Sequence, residues 1–329
     1  MVSFGTVIDA LNSGSYGRVV HQHHSPEDRM NSTVLVTGAT GKTGRRLVPQ
    51  LAARGVTVRT ASRNPAPADA HVEPVHFDWS DESTYAAALK EVDAVYVVAA
   101  NLSGITTHQS QQVASLLDAA AVAGARRVVL LSAFGVDQAP AEDPLRRIER
   151  VVEEAGMPST ILRPGTFMQN FSEKHWSNLD ATIRERDEIA MPGGDVLVSY
   201  VSTHDIAAVA AVALTEDGHD GKAYSLTGRE ALTLAEVAHH ISVAAGRQVR
   251  YVESGPQTIR DALLATGMPT DQAEYVTQLF VAAMTTGAFG VVTDDIAAVT
   301  GRPATTFAEY AAGAADAWRR PTTNHVSAT

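Results

Sequence analysis

The chain has 329 residues, 45% of them hydrophobic, enough to bury the core of one large α/β unit or two smaller ones. It has no cysteine. That excludes disulfides, thiolate nucleophiles, cysteine-ligated zinc and iron–sulfur clusters, and it agrees with a cytoplasmic protein. A net charge of −11 argues against nucleic acid and anionic lipid as partners, and no apolar run reaches the ~18 residues of a membrane span.

Residues 1–30 have weak periodicity and no signal-peptide pattern. They read as a mobile N-terminal extension, with Met30 as an alternative start. His21, His23 and His24 lie there without a further ligand at metal-binding spacing, which favours a tail over a metal site. From Thr33 short apolar runs alternate with amphipathic segments. Strands are expected at 33–38, 56–61, 71–77, 92–100, 126–132 and 159–163. Helices are expected at 43–54, from the cap Asp81 to 90, at 106–123 and at 142–155. This rhythm predicts an α/β fold with a doubly wound, Rossmann-like parallel sheet. The runs VYVVAA and VVLL suit strands buried on both faces. Beyond Pro164-Gly165 the rhythm loosens. A strand at 196–201, Ser202 and Thr203 capping an alanine-rich helix at 206–214, and short strands at 223–226 and 249–253 are expected. Helices follow at 233–245, 257–266, 271–286 and 305–318. The division predicted is a dinucleotide-binding region over 31–170 and a smaller, mostly helical substrate-binding region over 171–329, partly interleaved with the sheet.

The stretch VLVTGATGKTGRRLV carries Gly38, Gly41 and Gly44 at the junction of the first strand and helix. A strand that turns sharply into a helix points unpaired N–H groups, and the positive end of the helix dipole, at whatever lies above the turn. Gly38 permits the turn, Gly41 the approach of a pyrophosphate and Gly44 close helix–strand packing. Ala39 stands where the commonest dinucleotide fingerprint has glycine, but the strand–turn–helix context is the required one.

The end of the second strand, VTVRTASRNP, has no acidic residue to hold a ribose 2′-hydroxyl. Arg63 occupies that place, and Lys42 lies in the glycine loop. Both could clamp a phosphate, which points to NADP(H) rather than NAD(H); the alternative is two solvated surface charges. Asp78 and Trp79 follow the third strand, where they could contact an adenine, or Asp78 could simply cap the next helix.

The chain resembles the NmrA-like group of atypical short-chain dehydrogenase/reductases. The resemblance rests on VLVTGATGKTGRRLV, DAVYVVAAN, RRVVLLSAFGVD, STILRPGTFMQNF and VSTHDIAAVAAVAL and spans nearly all of 31–318. It implies that Gly38, Thr40, Gly41, Lys42, Thr43 and Gly44 hold the pyrophosphate, Arg63 the 2′-phosphate and Asp78 the adenine. It also implies that Ala99, Ala100, Asn101 and Ser132 line the ribose and nicotinamide side, with Pro164, Gly165 and Phe167 flanking the nicotinamide. Members include reductases of quinones, imines or aromatic compounds and redox-sensing regulators without turnover. The chain departs from typical short-chain dehydrogenases because no tyrosine has lysine four residues later. The helix where that pair would sit offers only Arg146, Arg147 and Arg150 as basic groups, and arginine does not release a proton readily.

Quinone and iminium acceptors take hydride without a strong acid, so the missing pair is compatible with catalysis. The expectation is an NADPH-dependent oxidoreductase acting on a small, conjugated acceptor. The rival is a non-catalytic NADP(H) sensor working through a protein partner. Ser132, His175, Tyr200 and His204 are the candidate proton donors or orienting groups, each with an ordinary packing or capping role as its alternative. Phe167, Met168 and Phe171 are expected to line the substrate cavity. Met268, Phe280, Met284 and Phe289 suit either a lid or helix packing. The partner expected is a small-molecule substrate, and the assembly a monomer or homodimer without metal.

Overall fold

The computed structural model describes residues 32–65, 70–98 and 108–320. Seven strands form one parallel sheet: β1 (Thr33–Thr37), β2 (Thr57–Ser62), β3 (Val72–His76), β4 (Ala94–Val97), β5 (Arg127–Leu131), β6 (Ser159–Pro164) and β8 (Lys222–Leu226), in the order β3-β2-β1-β4-β5-β6-β8. A second, two-stranded parallel sheet pairs β7 (Glu188–Met191) with β9 (Arg250–Glu253).

Alternation along the strands divides the core between the two faces of the sheet. Val34 and Val36 face α1 (Gly44–Ala52) and α6 (Thr203–Thr215), meeting Leu47, Leu51, Ile206 and Val209. Leu35, Val95 and Val97 face the other way, onto α2 (Tyr85–Ala88), α3 (His108–Ala123) and α4 (Pro144–Glu153), where Leu116, Leu117, Ile148 and Val152 are buried. α6 is buried along nearly its whole length; its alanines let it pack tightly between the sheet and α1. Ser202 caps it as expected, accepting from the His204 N–H.

The remaining helices are α5 (Leu179–Arg186), α7 (Leu234–Ala245), α8 (Pro256–Ala265), α9 (Thr270–Thr285), α10 (Asp295–Thr300) and α11 (Phe307–Ala314). α5, α7 and α11 close a third core with β7 around Ile183, Ile189, Val237, Phe307 and Trp318. α8 and α9 form a smaller cluster around Ile259, Leu263, Met268 and Ala273, which Trp176 and Phe280 join to the rest.

Several expectations are corrected. Residues 196–201 are extended but form no ladder. They make isolated bridges from Val201 to Phe167 and from Val198 to Leu232, because the segments beside them are turns rather than strands. The helix begun by Asp81 is a 3₁₀ turn, Glu82–Thr84, followed by the single turn of α2. The 305–318 segment likewise ends in a 3₁₀ turn, Ala315–Trp318. α5, β7 and α10 lack a strong periodic signal and were not anticipated. β8 is the seventh strand of the main sheet, so chain beyond residue 171 completes the layer begun by β1.

Helix α1 sits unusually close to the turn before it. A Cβ placed on Gly44 would lie 2.7 Å from the Ala39 Cα and closer still to the Gly38 carbonyl oxygen. Gly44→Ala is therefore expected to cost about 2–3 kcal/mol through forced backbone movement. Gly313→Ala, in α11 with nothing near its Cβ position, should instead gain about 0.5–1 kcal/mol from helix propensity. Urea unfolding of the two variants checks the opposite signs.

Candidate active site

The carboxyl ends of β1, β4, β5 and β6 open onto a cavity of about 580 Å³. β1 leads into it through Gly38, whose φ of +61° turns the chain across the end of the sheet. The Gly41 N–H donates to the Gly38 carbonyl at 2.9 Å. The Thr37 hydroxyl donates to the Tyr96 carbonyl at 2.9 Å and accepts from the Val98 N–H at 2.8 Å, tying the ends of β1 and β4 together. No side chain caps α1 and its first turn has no acidic residue, so the helix start is left to an outside anion. Gly38, Gly41, Lys42 and Thr43 line the cavity beside it. A pyrophosphate fits this turn on charge and on access.

The opposite wall is apolar and aromatic. Leu145 comes from α4, Phe167 from the segment after β6, Trp176 from the loop before α5, Leu263 from α8 and Phe280 from α9. The segment after β6 contains a 3₁₀ turn, Met168–Asn170, and three residues per turn put i and i+3 on one side. Phe167 and Asn170 thus reach the cavity. Met168 and Phe171 point into the third core, 1% and 2% exposed. Met168 is a packing residue, whereas Phe171 also lines a small void that shares Asn170, His175 and Phe280 with the cavity.

Three polar groups set the electrostatics. The Lys42 ammonium donates to Asn170 Oδ1 at 2.8 Å and to the Gln169 carbonyl at 3.3 Å. Burial lowers its pKa to about 8, against the opposing pull of Glu173. His175 is pushed down to about 3, first by burial and then by the charge of Lys42. Its Nδ1 lies 2.7 Å from the Ser177 hydroxyl and accepts from the Ser177 N–H at 3.4 Å, so the ring is neutral with its proton on Nε2. The Ser132 hydroxyl donates to Glu149 Oε1 at 2.6 Å. Glu149 is fully buried and accepts from Arg163 through both oxygens at 2.9 Å and from Arg146 at 3.0 Å.

The NmrA-like family profile matches residues 30–311. The chain belongs to the NmrA-like family. It is 37% identical over 288 residues to an NAD(P)H azoreductase of Xenophilus azovorans, covering 84% of this chain and 96% of that one. It is also 37% identical over 292 residues to a (4-alkanoyl-5-oxo-2,5-dihydrofuran-3-yl)methyl phosphate reductase of Streptomyces griseus, covering 87% and 99%. Among solved structures, an NADPH-dependent quinone oxidoreductase of Escherichia coli complexed with NADPH superimposes with a TM-score of 0.71 at 26% identity, covering 85% of this chain and 99% of that one.

In this NmrA-like chain Ser132, Pro164, Gly165, Phe167 and His175 line the cavity with the glycine loop, and Met268 and Phe280 join them. Gly44 is buried under the turn, and Thr40 is exposed on it. Arg63 is exposed at the end of β2, its carbonyl facing His76 Nδ1. Asp78 Oδ1 accepts from the Ser80 N–H at 2.9 Å, and Trp79 packs edge-on against Phe77 at 5.0 Å; both are engaged locally. Ala99, Ala100 and Asn101, like residues 1–30, lie outside the described residues. Tyr200 lies behind the cavity, where it lines a small void shared with Asn170, His175 and Phe280. Its ring is 2% exposed, against Phe171 and Phe307 at 5.3 and 5.8 Å, and burial raises its pKa. His204 is exposed on the first turn of α6, where its carbonyl accepts from Gln50. Met284 is core, and the Phe289 ring lies tilted beside Phe134 at 6.1 Å. Sequence reasoning missed Glu149, Asn170, Leu145, Leu263 and Thr266. Asn170, two residues beyond Met168, and Leu145 and Glu149, beside Arg146 and Arg150, sat inside stretches already singled out for other reasons.

His175 gives the site a pH signature. The folded protein keeps it neutral down to about pH 3, whereas an unfolded histidine protonates near pH 6.5. Between those values the unfolded state binds more protons, so stability falls as pH falls, by up to about 1.4 kcal/mol per pH unit. Urea melts between pH 4 and 7 should show that slope in the parent protein and a flatter one in His175→Asn.

Proposed function

We propose that this protein is an NADPH-dependent reductase of small, flat, conjugated acceptors of quinone, imine or aromatic type, working without a tyrosine–lysine pair. The protein is an NAD(P)H-dependent oxidoreductase. The observation that carries the finer reading is the cavity itself. One wall is a glycine turn at an uncapped helix start, and the other is a surface of Leu145, Phe167, Trp176, Leu263 and Phe280. Ring stacking and water exclusion are what such a wall offers a planar molecule. The names of the related azoreductase and quinone oxidoreductase support an acceptor of that kind.

The backbone of Gly38, Thr40, Gly41, Lys42, Thr43 and Gly44 would hold the pyrophosphate, and Arg63 the 2′-phosphate. Asp78 and Trp79 would lie toward the adenine, and Ser132, Pro164, Gly165 and Phe167 toward the nicotinamide. When bound, the reduced nicotinamide supplies a hydride. Ser132 cannot readily give its proton to a substrate, because Glu149 already takes it; its free lone pairs orient a polar group instead. His175, neutral, can donate one hydrogen bond through Nε2 but carries no surplus proton. Among the described residues no helix is long and apolar enough to cross a membrane, and a cytoplasmic monomer or homodimer is the setting proposed.

Titrating the protein with NADPH and NADH tests the cofactor. Arg63→Ala should weaken NADPH binding about ten- to a hundredfold, the worth of a charge-assisted hydrogen bond of ~1.5–3 kcal/mol, and leave NADH almost unaffected. Acceptor-dependent NADPH oxidation on a quinone panel supports the reductase. Tight binding without turnover on any acceptor would instead favour the sensor that the missing tyrosine–lysine pair allows.

A further inference from the structure

Hydride addition to a neutral acceptor leaves an anion, and something must protonate it. We propose that Lys42 is the proton donor of this site. The inference rests on the reductase reading above and adds to it the group that completes the chemistry.

Among the described residues that line the cavity, Lys42 is the sole Lys, Arg, Asp or Glu. Its ammonium reaches across the cavity floor to the 3₁₀ turn, 127 residues away in sequence. The acceptors it finds there, Asn170 Oδ1 and the Gln169 carbonyl, are both neutral. An ammonium has three protons, so these two bonds leave one for the cavity. The charged groups around it are accounted for. Arg45 and Arg46, in the first turn of α1 just after it, hold the carboxylate of Glu173. Asp180, on α5, lies within 4.0 Å of Arg184. His175, facing from the loop before α5, is neutral. No carboxylate is within ion-pairing distance of Lys42 among the described residues.

The other groups of the cavity cannot do this work. Ser132 gives its proton to Glu149, and Tyr200 is in the core. Helix α4 carries arginines where a typical short-chain reductase has its pair. Burial brings Lys42 to about 8, so at neutral pH it is mostly an ammonium yet a far better acid than an ordinary lysine. The oxygen of a reduced quinone resembles a phenolate, about two units more basic, so the transfer runs downhill.

The step balances. Hydride adds to one atom of the acceptor's C=O, conjugated C=C or N=N system. The π electron pair moves to the far atom, which takes a proton from Lys42 Nζ. The neutral amine keeps its bonds to Asn170 and Gln169 and regains a proton from water. In sum, acceptor, reduced nicotinamide and one proton give reduced acceptor and oxidised nicotinamide.

The chain has four lysines, Lys42, Lys90, Lys174 and Lys222, so each can be followed by NMR of lysine-labelled, cofactor-free protein. Lys42 should titrate near pH 8; titration of Lys42 above pH 10 would overturn the proposal. With a neutral quinone, kcat should fall at least about a hundredfold in both Lys42→Met and Lys42→Arg, while NADPH affinity measured by fluorescence changes less than threefold. Arginine keeps the charge but not the acidity, so it separates proton donation from phosphate clamping. A Lys42→Arg protein with undiminished kcat, or a Lys42→Met protein whose defect is tenfold weaker NADPH binding at unchanged kcat, would make Lys42 a phosphate ligand and overturn the proposal. If the parent protein turns over no acceptor, the reductase reading fails and this inference falls with it. Turnover that survives in Lys42→Met sinks the inference alone.

Discussion

The contact on which the rest of the site depends is that between helix α1 and the turn after β1. With no side chain at Gly44, the helix start presses onto the Gly38 carbonyl and the Ala39 backbone. That closeness fixes where the uncapped end of α1 points. It also sets α1 against α6, whose buried alanines and valines accept a near neighbour. The constraint then returns to the cavity through Gln169, which accepts from the Thr203 N–H at 2.8 Å and so anchors the start of α6. The next residue, Asn170, takes the ammonium of Lys42. A loop of short-range contacts thus runs from β1 through α1, α6 and the 3₁₀ turn back to the glycine loop. Each joint is a backbone approach or a hydrogen bond with little freedom, which is what a site needs to hold two reacting molecules in register.

A second constraint lies under the cavity. Glu149 is fully buried with Arg163 and Arg146 around it. Buried ions are tolerated when their hydrogen bonds are complete, and here both carboxylate oxygens are used. The arrangement joins α4 to the ends of β5 and β6. What remains for Ser132 is a fixed orientation rather than a proton to give.

Much of this was legible in the sequence, for reasons that can be traced residue by residue. VLVT, VYVV and RVVLL have the apolar continuity of strands covered on both faces, and the glycine spacing placed the turn from β1 into α1. The side chains around the substrate space were harder. Met168 and Phe171 look like cavity residues because they are large and apolar. A 3₁₀ turn of three residues, invisible to helix or strand periodicity, sends them inward and Phe167 and Asn170 outward. Leu263, Met268 and Phe280 come from α8, the turn after it and α9, about a hundred residues later, and their role depends on how α8 and α9 are laid over the sheet. Tyr200 was attractive as a hydroxyl and His204 as an imidazole, but burial removed one and a solvent-facing helix turn the other. Glu149 carried no local signal at all, since its meaning lies in Arg163 on a neighbouring strand.

The electrostatic character of the cavity follows from the same economy. An aromatic chamber is a poor solvent for charge, and each ionisable group in it adjusts. His175 stays neutral because burial and the nearby ammonium both oppose a second positive charge. Lys42 keeps its charge near neutrality because two neutral oxygens solvate it and Glu173 stands beyond them, yet it keeps it weakly. A group that holds a proton weakly, in a space that favours flat neutral molecules, is stabilised by neither state fully. That balance requires all of its parts. A carboxylate within bonding distance of Nζ would raise the pKa and retain the proton, and an unpartnered ammonium at this depth would lose it before the acceptor arrived. Arg45 and Arg46 satisfy this condition by claiming Glu173 for themselves; their own charges also disfavour the ammonium, and Arg46 donates to the Lys42 carbonyl at 2.8 Å, so the first turn of α1 governs the acidity of the lysine before it.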